Sequence, residues 1–505
     1  MTALELSSPV AVVGTGTMGQ GIAQVALLAG HPVRLYDAVE GQAKTAAAAI
    51  GTRLDRLVEK GRLTADGRSA ARAGLAPVDS LTELAGCGLV IEAILEQLPV
   101  KQRLFEELEE IVGEDCLLAT NTSSLSVTAI AGTLKKPGRF VGLHFFNPAP
   151  LLPLVEVVSG SATDETAATR AYETARAWGK TPVRSADTPG FIVNRIARPF
   201  YAEALRLHEE RVADPATIDA VLRASGGFKM GPFELTDLIG QDVNEAVTRS
   251  VWESFFQDPK FTPSLAQRRL VEARRLGRKS GQGWYAYGDD ASRPEPHTAA
   301  PAPAPASVTV HGDQCQAHDL LGLFEEAGID VAYKEPADPG RPGWIELPGG
   351  ARMHLADGRA ADGAETAAIQ FDLALDYRSA TRIALAPSVA VSEGQLHEAV
   401  GLFQALGKQV SVIADVPGMI VARTVAMLVD FAQDAVARGV AGREDIDTAM
   451  RLGVNYPRGP LEWGDALTVR WAADTLERLH QEYPTGRYAP SQALRRAAAR
   501  EDLYT

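Results

Sequence analysis

A histidine and a glutamate stand in two consecutive apolar segments in the N-terminal third of the chain. His144 lies in GLHFFNP, and Glu156 lies in LVEVV. A carboxylate beside an imidazole fixes the tautomer of the ring, and such a pair can act as a general base toward an alcohol. A satisfied core histidine is the alternative for His144 alone. Because an unpaired buried carboxylate is costly, Glu156 itself needs a partner, which favours the pair.

Two further polar residues could join this pair at one edge of a sheet. Ser123 lies in NTSSLS, directly after the apolar segment LLAT, and Asn194 lies in DTPGFIVNR at the start of a helical pattern. In open α/β sheets, ligands bind at the carboxyl ends of the strands, where chain direction would bring Ser123 and His144. Taken alone, Ser123 also fits a helix N-cap, and Asn194 also fits a structural amide.

A glycine-rich turn precedes these residues. Gly14, Gly16 and Gly19 have the G-x-G-x-x-G spacing behind a strand that begins at Val10, and Asp37 closes the next strand. The glycines allow a tight turn, leave room for a pyrophosphate and let the helix pack closely on the strand. The helix N-terminus favours the phosphates. Asp37 would bind the ribose hydroxyls and repel a 2′-phosphate, so the motif predicts NAD as the cofactor rather than NADP.

The elements that must position these residues alternate between strand and helix from Val10 onward, which predicts a parallel, doubly wound sheet. At 505 residues the chain is too long for one core. We predict an α/β Rossmann domain, an all-helical domain, a reduced α/β domain and a second copy of the helical domain. Their predicted bounds are residues 1–186, 187–288, 308–392 and 393–505, with an Ala/Pro linker at residues 289–307.

The second helical domain is predicted from a repeat without gaps. ADTPGFIVNR begins at Ala186 and recurs as ADVPGMIVAR from Ala414, so the residue numbers differ by 228. The same difference relates GPFE at 231–234 to GPLE at 459–462. A fixed period of this kind indicates a duplicated domain. Ala422 replaces Asn194 in the second copy, so we predict a single active site.

Composition excludes several other classes of function. The net charge of −14 argues against broad binding to nucleic acid or to a membrane surface. No apolar run reaches the roughly 18 residues of a membrane span. Cys87, Cys116 and Cys315 are scattered, which is typical of reduced thiols in a cytoplasmic protein. We predict no metal site.

Taken together, the motifs resemble the 3-hydroxyacyl-CoA dehydrogenase family over residues 10 to about 288. The duplicated tail resembles its long bacterial type, which acts on 3-hydroxybutyryl-CoA or 3-hydroxyadipyl-CoA in fatty acid or phenylacetate degradation. The resemblance implies oxidation of an (S)-3-hydroxyacyl-CoA by NAD. The motifs that carry it are GTGTMGQGIAQ, NTSSLS, GLHFFNP, LVEVV, DTPGFIVNR, GPFELTDLIG and GRKSGQGWYAY.

The resemblance also implies roles for individual residues. His144 would be the base acting on the 3-hydroxyl, and Glu156 would orient it. Ser123 and Asn194 would hydrogen-bond the reacting substrate. The positions that match cofactor contacts of the family are Gly14, Gly16, Thr17, Met18, Gly19, Asp37, Glu96, Lys101, Asn121 and Lys279.

The anionic tail of a CoA substrate needs cations, and one helical stretch offers three. Arg53, Arg56 and Lys60 have a spacing that places them on one face. They are candidates for the phosphates of CoA. Asp55 and Glu59 are interspersed, so an ordinary solvated charged face explains the pattern equally well.

Two rival functions are compatible with the same architecture. One is a catalytically retired, NAD-binding structural protein, and the other is a dehydrogenase acting on a carboxylate or sugar acid without CoA. The sequence leaves open the acyl chain length, the physiological direction and a homo-oligomer formed through the helical domains. We also hypothesise that the second helical copy packs on the helices around Leu205, as a partner subunit would in a dimer.

Overall fold

The computed structural model describes residues 2–335, 343–362 and 366–501, and it divides into two compact units. Unit 1 comprises Met1–Arg195 and Arg438–Val454, and unit 2 comprises Ile196–Ala437 and Asn455–Thr505. A short segment of the predicted second helical domain therefore belongs to the unit that holds the glycine motif. The division into units cuts across the predicted domain bounds, which stay a prediction.

Two sheets contain all the strands of the described residues. The strands are β1 (Val10–Val13), β2 (Val33–Tyr36), β3 (Leu75–Pro77), β4 (Leu89–Glu92), β5 (Leu117–Thr120), β6 (Phe140–Phe145), β7 (Leu154–Ser159), β8 (Thr181–Ala186), β9 (Ser307–His311), β10 (Asp330–Lys334), β11 (Trp344–Glu346), β12 (Arg352–Leu355), β13 (Ala368–Phe371), β14 (Arg382–Pro387) and β15 (Gln409–Val412).

Helices cover the sheets and build the rest of the chain. They are α1 (Thr17–Leu28), α2 (Gln42–Glu59), α3 (Ala65–Ala73), α4 (Leu98–Ile111), α5 (Val127–Ala131), α6 (Glu165–Ala177), α7 (Val193–Ile196), α8 (Arg198–Glu209), α9 (Pro215–Ala224), α10 (Pro232–Ile239), α11 (Gln241–Ser254), α12 (Leu265–Glu272), α13 (Asp319–Glu326), α14 (Glu393–Ala405), α15 (Val421–Ala437), α16 (Arg443–Gly453), α17 (Pro460–Leu467), α18 (Val469–Glu482) and α19 (Gln492–Glu501). Among the described helices, none is long and apolar enough to cross a bilayer.

The sheet of unit 1 has eight strands in the order β3-β2-β1-β4-β5-β6-β7-β8. Neighbouring strands are parallel except for the antiparallel pair β6–β7. Successive side chains of strand β1 point to opposite faces of the sheet and pack in two different apolar clusters. Val12 belongs to one cluster and Val13 to the other. A sheet that is buried on both faces needs such near-continuous apolar strands. The predicted doubly wound fold is thereby confirmed.

This topology brings the candidate residues to one edge of the sheet. Strands β5 and β6 are parallel, so Ser123 and His144 both lie at or just beyond their carboxyl ends. Strand β7 runs in the opposite direction and starts at the same edge, with Glu156 paired in register to His144.

Unit 2 contains the second sheet, with the strand order β10-β9-β11-β12-β13-β14-β15. It mixes parallel and antiparallel pairs around its own apolar core, which includes Ile369, Ile383 and Val410. The predicted reduced α/β domain is therefore present as a separate sheet. Within the part of this sheet that the structure describes, no connection from a strand to a helix carries a second glycine fingerprint.

The two helical copies meet inside unit 2, where α15 packs against α8, the helix that holds Leu205. A buried ion pair joins this region: Arg487 Nε lies 3.0 Å from Glu203 Oε1, and the Tyr488 hydroxyl donates to Glu203 Oε2 at 2.7 Å. Burial alone would raise the pKa of Glu203, but Arg487 and Arg423 hold it below its usual range. The ionised pair is thus an integral part of the contact between the copies.

Removing one partner of this pair should destabilise the protein. In Arg487→Met the Glu203 carboxylate loses the cation that it binds directly within a buried contact, and we expect the free energy of unfolding to fall by about 3–5 kcal/mol. Arg378→Met is the matched control, because its bidentate pair with Glu326 is exposed and should contribute at most about 1 kcal/mol. Denaturant titration checks both variants. Equal stability of the two variants would contradict this role for the buried pair.

Candidate active site

The centre of the site is the pair His144–Glu156. The two side chains face each other across β6 and β7, with His144 Nδ1 2.6 Å from Glu156 Oε2. The glutamate is fully buried, and the histidine side chain is 8% exposed. Because the carboxylate accepts from Nδ1, the other ring nitrogen, Nε2, remains as the acceptor for a proton. The geometry suits a general base.

The second oxygen of Glu156 is bound as well. Oε1 accepts the backbone N–H groups of Ile192 at 3.0 Å and Val193 at 2.9 Å, where α7 begins. Charge-assisted bonds of this kind stabilise a carboxylate at a helix N-terminus. Both oxygens of the buried carboxylate are therefore satisfied, and the imidazole is tied to the start of α7 through one side chain.

Aromatic rings form the wall beside the imidazole. The ring centroid of Phe146 lies 4.5 Å from that of His144, and that of Phe191 lies 5.9 Å away. Phe191 has φ of 48°, which is a left-handed backbone conformation that a bulky residue rarely adopts. Its counterpart in the repeat, Met419, has φ of 47°. The turn before the helix therefore has the same shape in both copies.

Ser123 and Asn194 lie next to each other. The side-chain amide of Asn194 donates to the backbone oxygen of Ser123 at 3.4 Å. The N-cap of the following helix α5 is Ser126, whose hydroxyl accepts from Ala129 N at 3.0 Å. Capping of α5 thus leaves the Ser123 side chain free for another role.

A charge network supports the Ser123 loop, and its buried member Glu92 is a residue that the sequence analysis missed. Glu96 Oε1 accepts from the backbone of Ser123 at 3.1 Å and that of Ser124 at 3.2 Å. Lys101 binds Glu96 at 3.2 Å and also contacts the fully buried Glu92. Burial alone would raise the pKa of Glu96, but Lys101 and the hydroxyl donors lower it. The signal for Glu92 was a lone acid at the end of an apolar strand.

The glycine turn has the shape that a dinucleotide needs. A Cβ at Gly14 would lie 2.5 Å from Ala93 O, and one at Gly19 would lie 1.8 Å from Gly14 O. Nothing lies within 4 Å of a Cβ at Gly16, so the backbone there faces open space. No side chain caps the first turn of α1, which begins at Thr17 and Met18, so its N–H groups can meet phosphate oxygens. These residues fit NAD.

Asp37 is held ready at the end of β2. Its Oδ2 accepts from the Thr15 backbone at 2.8 Å and from the Thr15 hydroxyl at 2.7 Å, while Val39 N donates to Oδ1 at 3.0 Å. Burial alone would raise the pKa of Asp37, but these hydrogen bonds lower it. The carboxylate is thus charged and fixed beside the glycine turn.

The remaining predicted cofactor residues have separate surroundings. Asn121 follows β5, and its Oδ1 accepts from Phe145 N at 2.9 Å, which places it beside the end of the strand that holds His144. Lys279 belongs to unit 2 and pairs there with Asp242, with Nζ 2.6 Å from Oδ1. Unit 1 thus gathers every predicted cofactor residue except Lys279.

The cationic face predicted for CoA lies on and just after α2. Arg53 donates to Gln20, while Arg56 and Lys60 are exposed. Asp55 is turned toward α3, where Arg72 Nη2 lies 2.7 Å from its Oδ2. The charge of Asp55 is therefore paired with Arg72 on α3, so it does not offset the charges of Arg53, Arg56 and Lys60.

In the second copy, different residues stand at the positions that correspond to the candidate site. With the difference of 228, Ala384 corresponds to Glu156, and Asp372 stands opposite Ala384 as His144 stands opposite Glu156. The Asp372 carboxylate accepts N–H groups of Ile420, Val421 and Ala422 at 2.8–3.1 Å. Burial raises its pKa to about 6. The contact between a carboxylate and the helix start has persisted there without an imidazole.

Comparison with known proteins gives a consistent family. Residues 9–188 match the model of the 3-hydroxyacyl-CoA dehydrogenase NAD binding domain, and residues 190–287 and 418–504 each match its C-terminal domain. Residues 353–417 match the 3-hydroxybutyryl-CoA dehydrogenase reduced Rossmann-fold domain.

Individual relatives match either nearly the whole chain or about half of it. The 3-hydroxyadipyl-CoA dehydrogenase of Escherichia coli K12 is 43% identical over 98% of both chains. The 3-hydroxybutyryl-CoA dehydrogenase of Clostridioides difficile is 37% identical over 55% of this chain and 98% of its own. The crystal structure of an Escherichia coli 3-hydroxybutyryl-CoA dehydrogenase superposes with a TM-score of 0.89 at 42% identity, covering 99% of this chain and 100% of that one.

Asp37 generates a prediction about cofactor choice. Asp37→Ala removes the charge that would repel a 2′-phosphate and the acceptor for the ribose hydroxyls. We expect a weaker affinity for NADH and a smaller preference for NADH over NADPH, by roughly 10-fold in each case, equivalent to about 1.4 kcal/mol. Fluorescence titration with both cofactors measures this. An unchanged preference would mean that another group reads the ribose.

Proposed function

The chain belongs to the 3-hydroxyacyl-CoA dehydrogenase family, and on that premise we propose that His144 and its neighbours oxidise the 3-hydroxyl of an (S)-3-hydroxyacyl-CoA. The products are the 3-oxoacyl-CoA, NADH and a proton, and the same site serves the reverse reaction. The observation that supports this most is the buried pair between His144 Nδ1 and Glu156, at the edge of the sheet where the glycine turn also lies.

Bound NAD supplies the hydride acceptor, and the residues of the chain move the proton. His144 Nε2 takes the proton of the 3-hydroxyl as the C3–H bond breaks, which leaves a carbonyl. The resulting imidazolium lies against the carboxylate of Glu156. Because Ile192 and Val193 already donate to that carboxylate, its charge stays in place throughout the step. Little reorganisation is then needed as charge develops.

Ser123 and Asn194 would hold the reacting part of the substrate. The side-chain amide of Asn194 contacts the backbone oxygen of Ser123 at 3.4 Å, and Glu96 accepts a hydrogen bond from the backbone N–H of Ser123. A hydroxyl and an amide so fixed can bind the oxygen at C3 and the thioester while His144 acts. Fixed orientation of this kind accounts for a large part of many enzymatic rate enhancements.

The CoA moiety and the acyl chain are the finer parts of the proposal. Arg53, Arg56 and Lys60 would meet the phosphates of CoA. The acyl group would be 3-hydroxybutyryl or 3-hydroxyadipyl, the groups named for the relatives that match the full chain. The cytoplasm is the proposed setting, supported by three free cysteines. Because α8 is already packed on α15, a homo-oligomer would use another surface of the helical domains.

The second copy argues against a retired structural protein. A retired site has lost its imidazole and its amide, as Asp372 and Ala422 show at the positions that correspond to His144 and Asn194. The first copy has kept all four predicted catalytic residues, together with the glycine turn. This contrast within one chain favours an active dehydrogenase.

Replacing the base should separate catalysis from cofactor binding. For His144→Ala we expect kcat with acetoacetyl-CoA to fall by about 10²–10⁴-fold, the typical contribution of a general base, while the Kd of NADH stays within twofold. NADH absorbance and fluorescence report the two quantities. The matched control is His397→Ala, an exposed histidine on α14 that should leave both unchanged.

A substrate panel completes this test. It contains 3-hydroxybutyryl-CoA, 3-hydroxyadipyl-CoA and the corresponding free hydroxy acids. Activity that does not need CoA would favour the dehydrogenase of carboxylates. NADH binding without turnover of any member would favour the structural protein, and a kcat for His144→Ala near that of wild type would refute the assignment of the base.

A further inference from the structure

We infer that Gly453, in the catalytically silent second helical copy, is a positioning residue for the His144–Glu156 pair. The C-terminal copy would then contribute to catalysis without containing a site of its own. The inference rests on the proposed function, since it assigns a task within that reaction.

Helix α16 of the second copy is part of unit 1, where it covers the edge of the catalytic sheet. It packs on β7 and β8. Ala186 N donates to Val440 O at 2.8 Å, and Arg184 N donates to Asp445 Oδ2 at 3.3 Å. An edge strand such as β8 exposes unpaired backbone groups unless something covers it. The α16 segment therefore completes the sheet that carries the predicted base.

Gly453, the last residue of α16, lies in close contact with this sheet. A Cβ there would lie 2.7 Å from Leu154 Cδ2, 3.1 Å from Val193 Cγ2 and 3.6 Å from Phe146 Cε1. The φ of Gly453 is outside the left-handed region, so the backbone conformation does not demand glycine. The close approach favours glycine, because a Cβ would displace the end of the Leu154 side chain and press on Val193, and a larger side chain would also reach Phe146.

Each of these neighbours supports a predicted catalytic residue. Phe146 packs its ring on His144, with centroids 4.5 Å apart. Val193 donates its N–H to Glu156 at 2.9 Å and precedes Asn194 in the chain. Leu154 lies on β7, two residues before Glu156. A displacement at Gly453 would therefore reach the imidazole, its carboxylate and the amide together.

The repeat supplies an internal comparison in unit 2. Ser225 corresponds to Gly453 and Arg382 to Leu154, and Ser225 Oγ donates to Arg382 O at 2.5 Å while α9 packs on β14. Ala414 N donates to Val212 O at 3.1 Å, which matches the bond between Ala186 and Val440. The same mode of docking thus occurs twice. The sheet of unit 2, which lacks the His–Glu pair, accommodates the side chain of Ser225 at this position. The sheet of unit 1 has Gly453 there.

The inference is tested by adding volume at both corresponding positions. In Gly453→Leu we expect kcat to fall by about 10²-fold, because a displacement of about 1 Å in a catalytic constellation has an effect of that size. The Kd of NADH should stay within twofold of the wild-type value. Ser225→Leu places the same side chain against the sheet of unit 2. It should keep the wild-type kcat, even if its Tm falls as much as that of Gly453→Leu.

Two further variants separate positioning from a general loss of folding. Adding Leu154→Ala to Gly453→Leu removes the atoms that the new side chain meets, and should restore most of the lost kcat. Gly453→Ala meets chiefly the flexible end of Leu154, and should give a smaller loss in the same direction. A merely structural role would not produce rescue that depends on size.

The downfield NMR resonance of the His144 Nδ1 proton, assigned by its absence in His144→Ala, gives a readout that needs no turnover. It should shift or vanish in Gly453→Leu and persist in Ser225→Leu. The inference is overturned if Gly453→Leu keeps both the resonance and the kcat of wild type, or if Ser225→Leu loses them equally. Failure of the proposed function would look different: an inactive wild-type protein in which the resonance still responds to Gly453→Leu.

Discussion

The buried carboxylate of Glu156 is the interaction on which the rest of the site depends. One of its oxygens fixes His144, and the other binds two N–H groups where α7 begins. A charge in this apolar strand would be costly without both sets of partners. The tautomer of the imidazole and the position of the helix that carries Asn194 are therefore set by one side chain.

Duplication shows which half of this interaction is structural. Asp372 binds the start of α15 much as Glu156 binds the start of α7, although it occupies the position that corresponds to His144. A carboxylate binds the helix start in both copies, including the one that has neither the imidazole nor the amide, so we infer that this contact holds the helix in place. The imidazole and the amide are present only in the first copy, and they are the groups to which we assign the chemistry.

Many features of the fold and of the candidate site could be predicted from the sequence, because recognisable sequence patterns indicate them. The glycine spacing predicts the dinucleotide turn, and the acid and the histidine in adjacent apolar strands predict their pairing. The repeat without gaps predicts the duplicated domain. Glu92 was missed because its meaning depends on Lys101 folding back from the next helix. Ser126, and not Ser123, caps α5, and spacing within a serine cluster could not decide between them.

Other features depend on tertiary structure alone. Asp372 lies outside the stretch in which the two copies share residue types, so its correspondence to His144 by the same difference of 228 is recognised only when the strand register agrees with it. The membership of α16 in unit 1 arises from packing on β7 and β8, and no local signal announces it. The domain bounds predicted from sequence are continuous along the chain. In the structure, by contrast, α16 belongs to unit 1, although the sequence places it in the second helical domain.

The most direct test of the account compares the two corresponding carboxylates. Glu156→Gln and Asp372→Asn both keep the shape of the side chain, remove its charge and replace one accepting oxygen with a donating amide group. With acetoacetyl-CoA and NADH, we predict that kcat of Glu156→Gln falls by about 10²-fold or more, because the imidazolium loses its counter-charge, while kcat of Asp372→Asn stays at the wild-type value. Equal effects on kcat in the two variants, or full activity of Glu156→Gln, would contradict the claim that a single Glu156–His144 pair performs the chemistry.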